Sequence, residues 1–132
     1  MNFVWNMDEK NWQNLKKDHG NKHLINMSKD FDFYGDCRIG NLCAEILHTG
    51  DDSDKSSWYA FTNIYALGID DGYGETLEGN VPYTLLHGDF KVPINCKTFE
   101  GFKRVFEKRF EEFINSNNQY KELANMPLGN WN

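Results

Sequence analysis

The chain has 132 residues, of which 15% are aromatic, and it carries a formal net charge of -6 at pH 7. This length indicates a single domain over 1–132 with its own apolar core, and the aromatic content argues against disorder. The negative charge disfavours direct binding to nucleic acid or to an anionic membrane, because both repel an acidic surface.

The cysteine pattern bears on the cellular compartment. Cys37, Cys43 and Cys96 are an odd number of cysteines without a CxxC spacing, which favours a reducing interior over a secreted disulfide framework. The amino terminus has no continuous apolar region of the signal-peptide type, and no stretch reaches the roughly 18 apolar residues of a membrane span. We therefore expect a cytoplasmic protein without membrane contact.

The charges are unevenly distributed along the chain. Residues 30–90 hold twelve acids against only Arg38 and Lys55, whereas the two flanking segments are each positive by two charges. No Lys or Arg occurs between Lys55 and Lys91. The middle of the protein is thus acidic and its ends are mildly basic.

The first predicted element is a helical segment over 1–22. A helix over 6–19 is indicated by Asn6 as the N-cap with Glu9 three residues later, as in a capping box. The inward residues of this helix would be Trp12 and Leu15.

A β-meander is predicted over 23–95. Residues 39–48 alternate so that Leu42, Ala44 and Ile46 share one face, and 58–68 is the strongest strand pattern. Residues 81–94 are predicted to form two short strands divided by a Gly-Asp turn at 87–89.

The last strong pattern is an amphipathic helix over 97–116, which Thr98 would cap, followed by a C-terminal tail over 117–132. The order of these elements predicts an α+β fold. We expect an antiparallel sheet of four to six strands with a short N-terminal helix and a long amphipathic C-terminal helix packed on one face.

The acidic segments do not have the spacing of a known metal site. An EF-hand loop that starts at Asp52 would place Asn63 where a glutamate is needed, and zinc-protease spacing fails because Gly20 separates the two closest histidines. We expect no cofactor and no metal. An irregular cation site at Asp70, Asp71 and Glu75 is the alternative left open.

Catalytic patterns are equally incomplete. Three cysteines and several histidines supply the ingredients of a nucleophile and base, but no spacing brings them together. The glycine-rich segment 68–80, GIDDGYGETLEGN, lacks the lysine of a phosphate-binding loop, and its carboxylates would repel a phosphate. The sequence therefore favours a binding protein over an enzyme.

The leading hypothesis is a small inhibitor or immunity-type protein that presents an acidic loop face to a basic partner. An acidic surface can imitate nucleic-acid phosphates, so the expected partner is a nucleic-acid-handling enzyme, as for an anti-CRISPR-like or anti-restriction protein of a phage or mobile element. The predicted partner-binding residues are Asp51, Asp52, Asp54, Asp70, Asp71, Tyr73, Glu75 and Glu78.

The alternative hypothesis is a small enzyme or ligand-binding domain. Its pocket would lie near His48, His87 and Asp89, with Tyr83 on the same side of the sheet. A deep pocket lined by His87 and Asp89 would favour this alternative, whereas acidic turns on one exposed face would favour the binding protein.

Overall fold

The computed structural model describes residues 1–18, 33–49, 58–68, 76–77 and 81–127. Within these ranges the chain forms six strands and three helices. In chain order they are β1 (Val4–Asn6), α1 (Glu9–Lys17), β2 (Gly35–Ile39), β3 (Leu42–Thr49), β4 (Tyr59–Leu67), β5 (Thr76–Leu77), β6 (Val81–Pro93), α2 (Phe99–Asn115) and α3 (Asn118–Asn125).

The described strands form one sheet in the order β1-β2-β3-β4-β6-β5, and every neighbouring pair is antiparallel. The strand β5 contributes only two residues, which pair with Val81 and Pro82 and lie inside the segment predicted as a glycine-rich loop. The predicted α+β class with an antiparallel sheet is confirmed.

A tight turn at Gly40 and Asn41 sets the register between β2 and β3. Ile39 pairs with Leu42, so the hairpin loop has two residues, and Gly40 has a φ of 55°. Two-residue hairpins often place glycine first, because that position needs a positive φ. The Asn41 N–H then donates to the Leu123 carbonyl at 2.9 Å, which fixes the end of α3 against this turn.

The helices pack on one face of the sheet. Buried residues from all three helices share a single apolar cluster with the buried strand residues. In α2, Phe102, Phe106 and Phe110 are completely buried, and each such burial contributes about 1.5–3 kcal/mol to folding. Trp12 and Leu15 of α1 are also completely buried, as predicted.

The predicted start of α1 is wrong. Asp8, not Asn6, is the N-cap: its carboxylate accepts from the Asn11 N–H at 2.8 Å, while the Asn11 side chain accepts from the Asp8 N–H at 3.0 Å. Asn6 instead belongs to β1. Strand pairing there directs Trp5 toward α2, where its ring lies 5.1 Å from Phe106, and this aromatic packing outweighs the helical pattern.

The predicted turn at 87–89 is also wrong, because β6 continues through it. The register against β4 shifts twice, so that Thr62 pairs with Phe90, Ile64 with His87 and Tyr65 with Leu85. These shifts give β6 one additional residue at each of two bulges. Asp89 has a φ of 54°, a conformation that Asp tolerates better than most residues, so the Gly-Asp signal marks a bulge instead of a turn.

A helix, α2, occupies the amphipathic segment predicted over 97–116, and the Thr98 hydroxyl accepts from the Gly101 N–H at 3.0 Å at its start. The tail predicted over 117–132 is partly helical, because α3 follows α2 directly and buries Leu123 and Ala124. Among the described helices, none has the length and apolar character needed to cross a membrane.

Candidate functional site

The two faces of the sheet carry different side chains. The inner face packs against α1, α2 and α3, and on it β4 places its buried residues Ala60, Thr62, Ile64 and Ala66. The outer face is the opposite one, where the same strand places the half-buried Tyr59, Phe61, Asn63 and Tyr65. Small inward residues leave room for the phenylalanines of α2, so the large aromatic residues of β4 are directed away from the core.

Several outward residues of β4 and β6 form what we call the aromatic surface. Its members are Tyr59, Phe61, Tyr65, Tyr83, Leu85 and Lys91. The rings of Tyr65 and Tyr83 meet edge to face with centroids 4.9 Å apart, and Leu85 lies opposite Tyr65 on the neighbouring strand. Leu85 is 51% exposed, which is unusual for a large apolar residue in the middle of a strand.

The other end of the aromatic surface holds a cation. The rings of Tyr59 and Phe61 meet edge to face at 5.0 Å. The Lys91 ammonium lies 5.0 Å from the centroid of Tyr59 and 5.6 Å from that of Phe61. These distances are within the range of cation–π attraction, so the rings are oriented to accept a positive charge.

A polar row crosses the outer face beside these aromatic residues. Asn6, Asp36, Glu45 and Asn63 are successive cross-strand partners from β1 to β4. Asp36 accepts from the Asn6 side chain at 2.9 Å and from Arg38 at 3.3 Å. Burial raises the pKa of Glu45, and the Asp36 carboxylate raises it further, whereas Arg38 lowers it.

The polar row has limited capacity for chemistry. Asp36 is only 6% exposed and is held by two donors, so its carboxylate is enclosed by the protein. Burial raises the pKa of the neighbouring Cys43 thiol well above its ordinary value, which leaves it protonated and poorly nucleophilic. Among the residues that the structure describes, no group of three or more His, Cys, Asp and Glu side chains could hold a metal ion.

The eight predicted partner-binding residues all lie outside the described residues. They are Asp51, Asp52, Asp54, Asp70, Asp71, Tyr73, Glu75 and Glu78. The strand ends that flank them are described: one acidic segment follows Thr49 and precedes β4, and the other follows Gly68 at the opposite end of β4. The two segments therefore join the sheet about 27 Å apart, which is the length of the eight steps between the nine residues of β4 at about 3.4 Å per step.

Tyr83 and His87, two of the residues proposed for an alternative pocket, lie on opposite faces of the sheet. Tyr83 packs on the outer face with Cys43 and Leu67. The bulges turn His87 toward the helices, where its imidazole lies 5.7 Å from the ring of Phe113. His87 and Asp89 are both exposed, and the side chain of His48 lies outside the described residues. The expectation that Tyr83 shares one side of the sheet with His87 is wrong, because it assumed a turn and not two bulges.

Sequence reasoning missed the pairing of Asp36 with Glu45, although the signal was present. Gly40 and Asn41 between two apolar runs are typical of a two-residue hairpin. Pairing Ile39 with Leu42 then places Asp36 opposite Glu45 by counting outward. The exposure of Leu85 had no comparable signal, because it depends on the positions of the bulges.

No family model, curated protein or solved structure matches this chain. The functional interpretation therefore rests on the chemistry and geometry of its own residues.

Proposed function

We propose that this protein binds and inhibits a basic, nucleic-acid-handling protein through its acidic connecting segments. The observation that carries this proposal is how the charge is partitioned. The two connecting segments 50–57 and 69–80 hold seven acids against Lys55 alone, whereas the rest of the chain holds thirteen acids and thirteen Lys or Arg. The entire net charge of -6 therefore belongs to these two connecting segments.

This partition suits recognition of a basic surface. Acids concentrated in a few segments create a stronger local field than the same acids mixed with cations would, and such a field accelerates association with a positively charged partner. Enzymes that act on nucleic acids carry basic grooves for phosphates. A protein that offers carboxylates to such a groove competes with the nucleic acid for it.

The spacing of the attachment points supports the same proposal. The two acidic segments join β4 about 27 Å apart, and phosphates along one DNA strand are about 3.4 Å apart along the axis, so this distance corresponds to about eight nucleotide steps. A groove that binds duplex DNA is long enough to contact both segments at once.

The test measures inhibition of DNA cleavage by two purified enzymes, a restriction endonuclease and an RNA-guided nuclease, with binding followed in parallel. We expect tight binding to one of them that weakens with salt and is displaced by duplex DNA. Neutralising one acidic segment should weaken this binding by at least about 10-fold. The variant carries Asp70→Asn, Asp71→Asn, Glu75→Gln and Glu78→Gln.

A matched control removes the same number of charges from the described helices. It carries Glu100→Gln, Glu111→Gln, Glu112→Gln and Glu122→Gln, all at exposed positions of α2 and α3. This control should bind within about twofold of the unmodified protein, because distant exposed charges are screened. Equal losses in both variants would show that only net charge matters, and an unchanged affinity in the acidic-segment variant would refute the proposal.

A further inference from the structure

The C-terminal end of α3 is held against the turn between β2 and β3 by two contacts from one residue, Asn41. Its N–H donates to the Leu123 carbonyl at 2.9 Å, and its side-chain amide donates to the Met126 thioether sulfur at 3.1 Å. The Met126 N–H donates to the same Leu123 carbonyl at 3.4 Å. The position of Met126 is therefore coupled to the contact that docks α3 on the turn.

Met126 combines this contact with access to solvent. It is 43% exposed, although it directly follows a helix that buries Leu123 and Ala124. It also lines an open groove along the exposed side of α3, together with Lys121 and Asn125. Small oxidants in solution can reach a thioether sulfur in this position.

We propose that Met126 is a peroxide-sensitive site whose oxidation releases the end of α3 from the β2–β3 turn. A sulfur lone pair attacks one oxygen of hydrogen peroxide and the O–O bond breaks. The proton on the newly bound oxygen passes to the departing hydroxide, which leaves as water. The thioether is thereby oxidised to a sulfoxide while the peroxide is reduced. This modification is independent of the proposed function, because it uses none of the same residues.

The contact with Asn41 weakens whichever sulfur lone pair reacts. An oxygen added on the side of Asn41 needs about 2.9 Å of its own to the amide nitrogen, which pushes the sulfur outward beyond the present 3.1 Å. An oxygen added on the opposite side leaves the sulfur partly positive, so that it no longer accepts from an N–H group. The two cases correspond to the two sulfoxide epimers, and neither preserves the contact.

The Asn41 side chain has no second contact to replace the one that is lost. Its side-chain oxygen is buried and has no hydrogen-bond partner among the described residues. Loss of the sulfur contact would therefore leave the whole side-chain amide unpaired, and an unpaired buried amide is costly. Oxidation of Met126 consequently favours a state in which the turn separates from α3 and Asn41 reaches water.

Amide hydrogen exchange of the full chain before and after treatment with hydrogen peroxide tests this proposal, and peptide mass spectrometry locates the added oxygen. We expect Met126 to be oxidised and the Asn41 amide to exchange about fivefold to tenfold faster, because its acceptor belongs to α3. The Leu67 amide is the internal reference. It donates to the Asn41 carbonyl at 2.7 Å, a contact without α3, so its exchange rate should change by less than about twofold. Methionine sulfoxide reductases specific for the two epimers should restore the original rate.

Two leucine variants are the matched controls. Met126→Leu removes the reactive sulfur, so peroxide should leave the exchange rate of the Asn41 amide unchanged in this variant. Met7→Leu replaces a half-buried methionine that packs against the core, and its Asn41 amide should respond to peroxide as in the unmodified chain.

Three outcomes would overturn the proposal. One is an oxidised Met126 with an unchanged exchange rate of the Asn41 amide, and another is a Met126 that peroxide leaves intact. The third is acceleration that persists in Met126→Leu, because it would assign the effect to another side chain, such as the half-buried Cys96.

Discussion

Gly40→Ala tests the contact that joins the β2–β3 turn to the end of α3. A Cβ atom at this position would lie 2.5 Å from the Ala124 carbonyl oxygen and closer still to that of Leu123. Both neighbours are backbone atoms, so α3 must move. The φ of 55° adds about 1–2 kcal/mol for any residue with a Cβ. Losing the Asn41–Leu123 hydrogen bond adds about 1 kcal/mol.

We therefore expect Gly40→Ala to lower the free energy of unfolding by about 3 kcal/mol. In urea this corresponds to a midpoint about 1.5 M lower, for a slope of about 2 kcal/mol per molar. Hydrogen exchange at the Asn41 amide should also accelerate, because its acceptor belongs to the displaced segment.

Gly88→Ala is the matched control for this prediction. A Cβ atom there would meet Asn63 at 3.6 Å and Leu85 at 3.9 Å, which are ordinary contact distances. Its stability should be unchanged or increased by up to about 1 kcal/mol, since alanine restricts the unfolded chain. If Gly40→Ala and Gly88→Ala differed by less than about 0.5 kcal/mol, the docking of α3 on the turn would be refuted.

Three further predictions concern other parts of the fold. Burial raises the pKa of Glu45 above the ordinary value of 4.5, so the folded protein binds this proton more tightly than the unfolded chain does. The free energy of unfolding therefore falls as the pH rises from the pKa of the unfolded chain through the pKa of the folded protein. Glu45→Gln should flatten the pH dependence of the free energy of urea unfolding in this pH interval. An unchanged slope would contradict burial as the cause of the raised pKa. Under native conditions at pH 8, a thiol reagent should modify Cys96 first, whereas all three cysteines should react after denaturation; equal native rates would contradict the burial of the other two. Trp5→Leu should cost about 2 kcal/mol in thermal or urea unfolding because it removes edge-to-face contacts with α2, and a neutral result would show that β1 does not dock there.

Periodicity predicted the fold class because each pattern is local. The alternation of β3 and the apolar stripe of α2 depend only on neighbouring residues, and the structure has both elements. The errors occurred where a distant contact competes with a local pattern. Asn6 has the chemistry of an N-cap, but strand pairing that brings Trp5 onto α2 determines its conformation.

The candidate site was less predictable because its geometry also depends on contacts between residues that are distant in the sequence. Gly88 and Asp89 predicted a hairpin turn, but the positive φ of Asp89 belongs to a bulge, and turns and bulges both use that conformation. Choosing between them requires the partner strand, because only β4 shows that the pairing continues past Asp89. Whether His87 faces the helices or the outer side of the sheet depends on whether this segment forms a turn or a bulge.

The outward aromatic residues of β4 lie outside the apolar core between the sheet and the helices. The core already obtains its large side chains from α2, and fully buried Ala60 and Ile64 complete it from the sheet. The outward rings pack instead across the outer face, Tyr59 against Phe61 and Tyr65 against Tyr83, with the Lys91 ammonium over Tyr59. The stability of the core therefore depends on the phenylalanines of α2, whereas the outward rings of β4 stabilise the opposite face of the sheet through their own contacts.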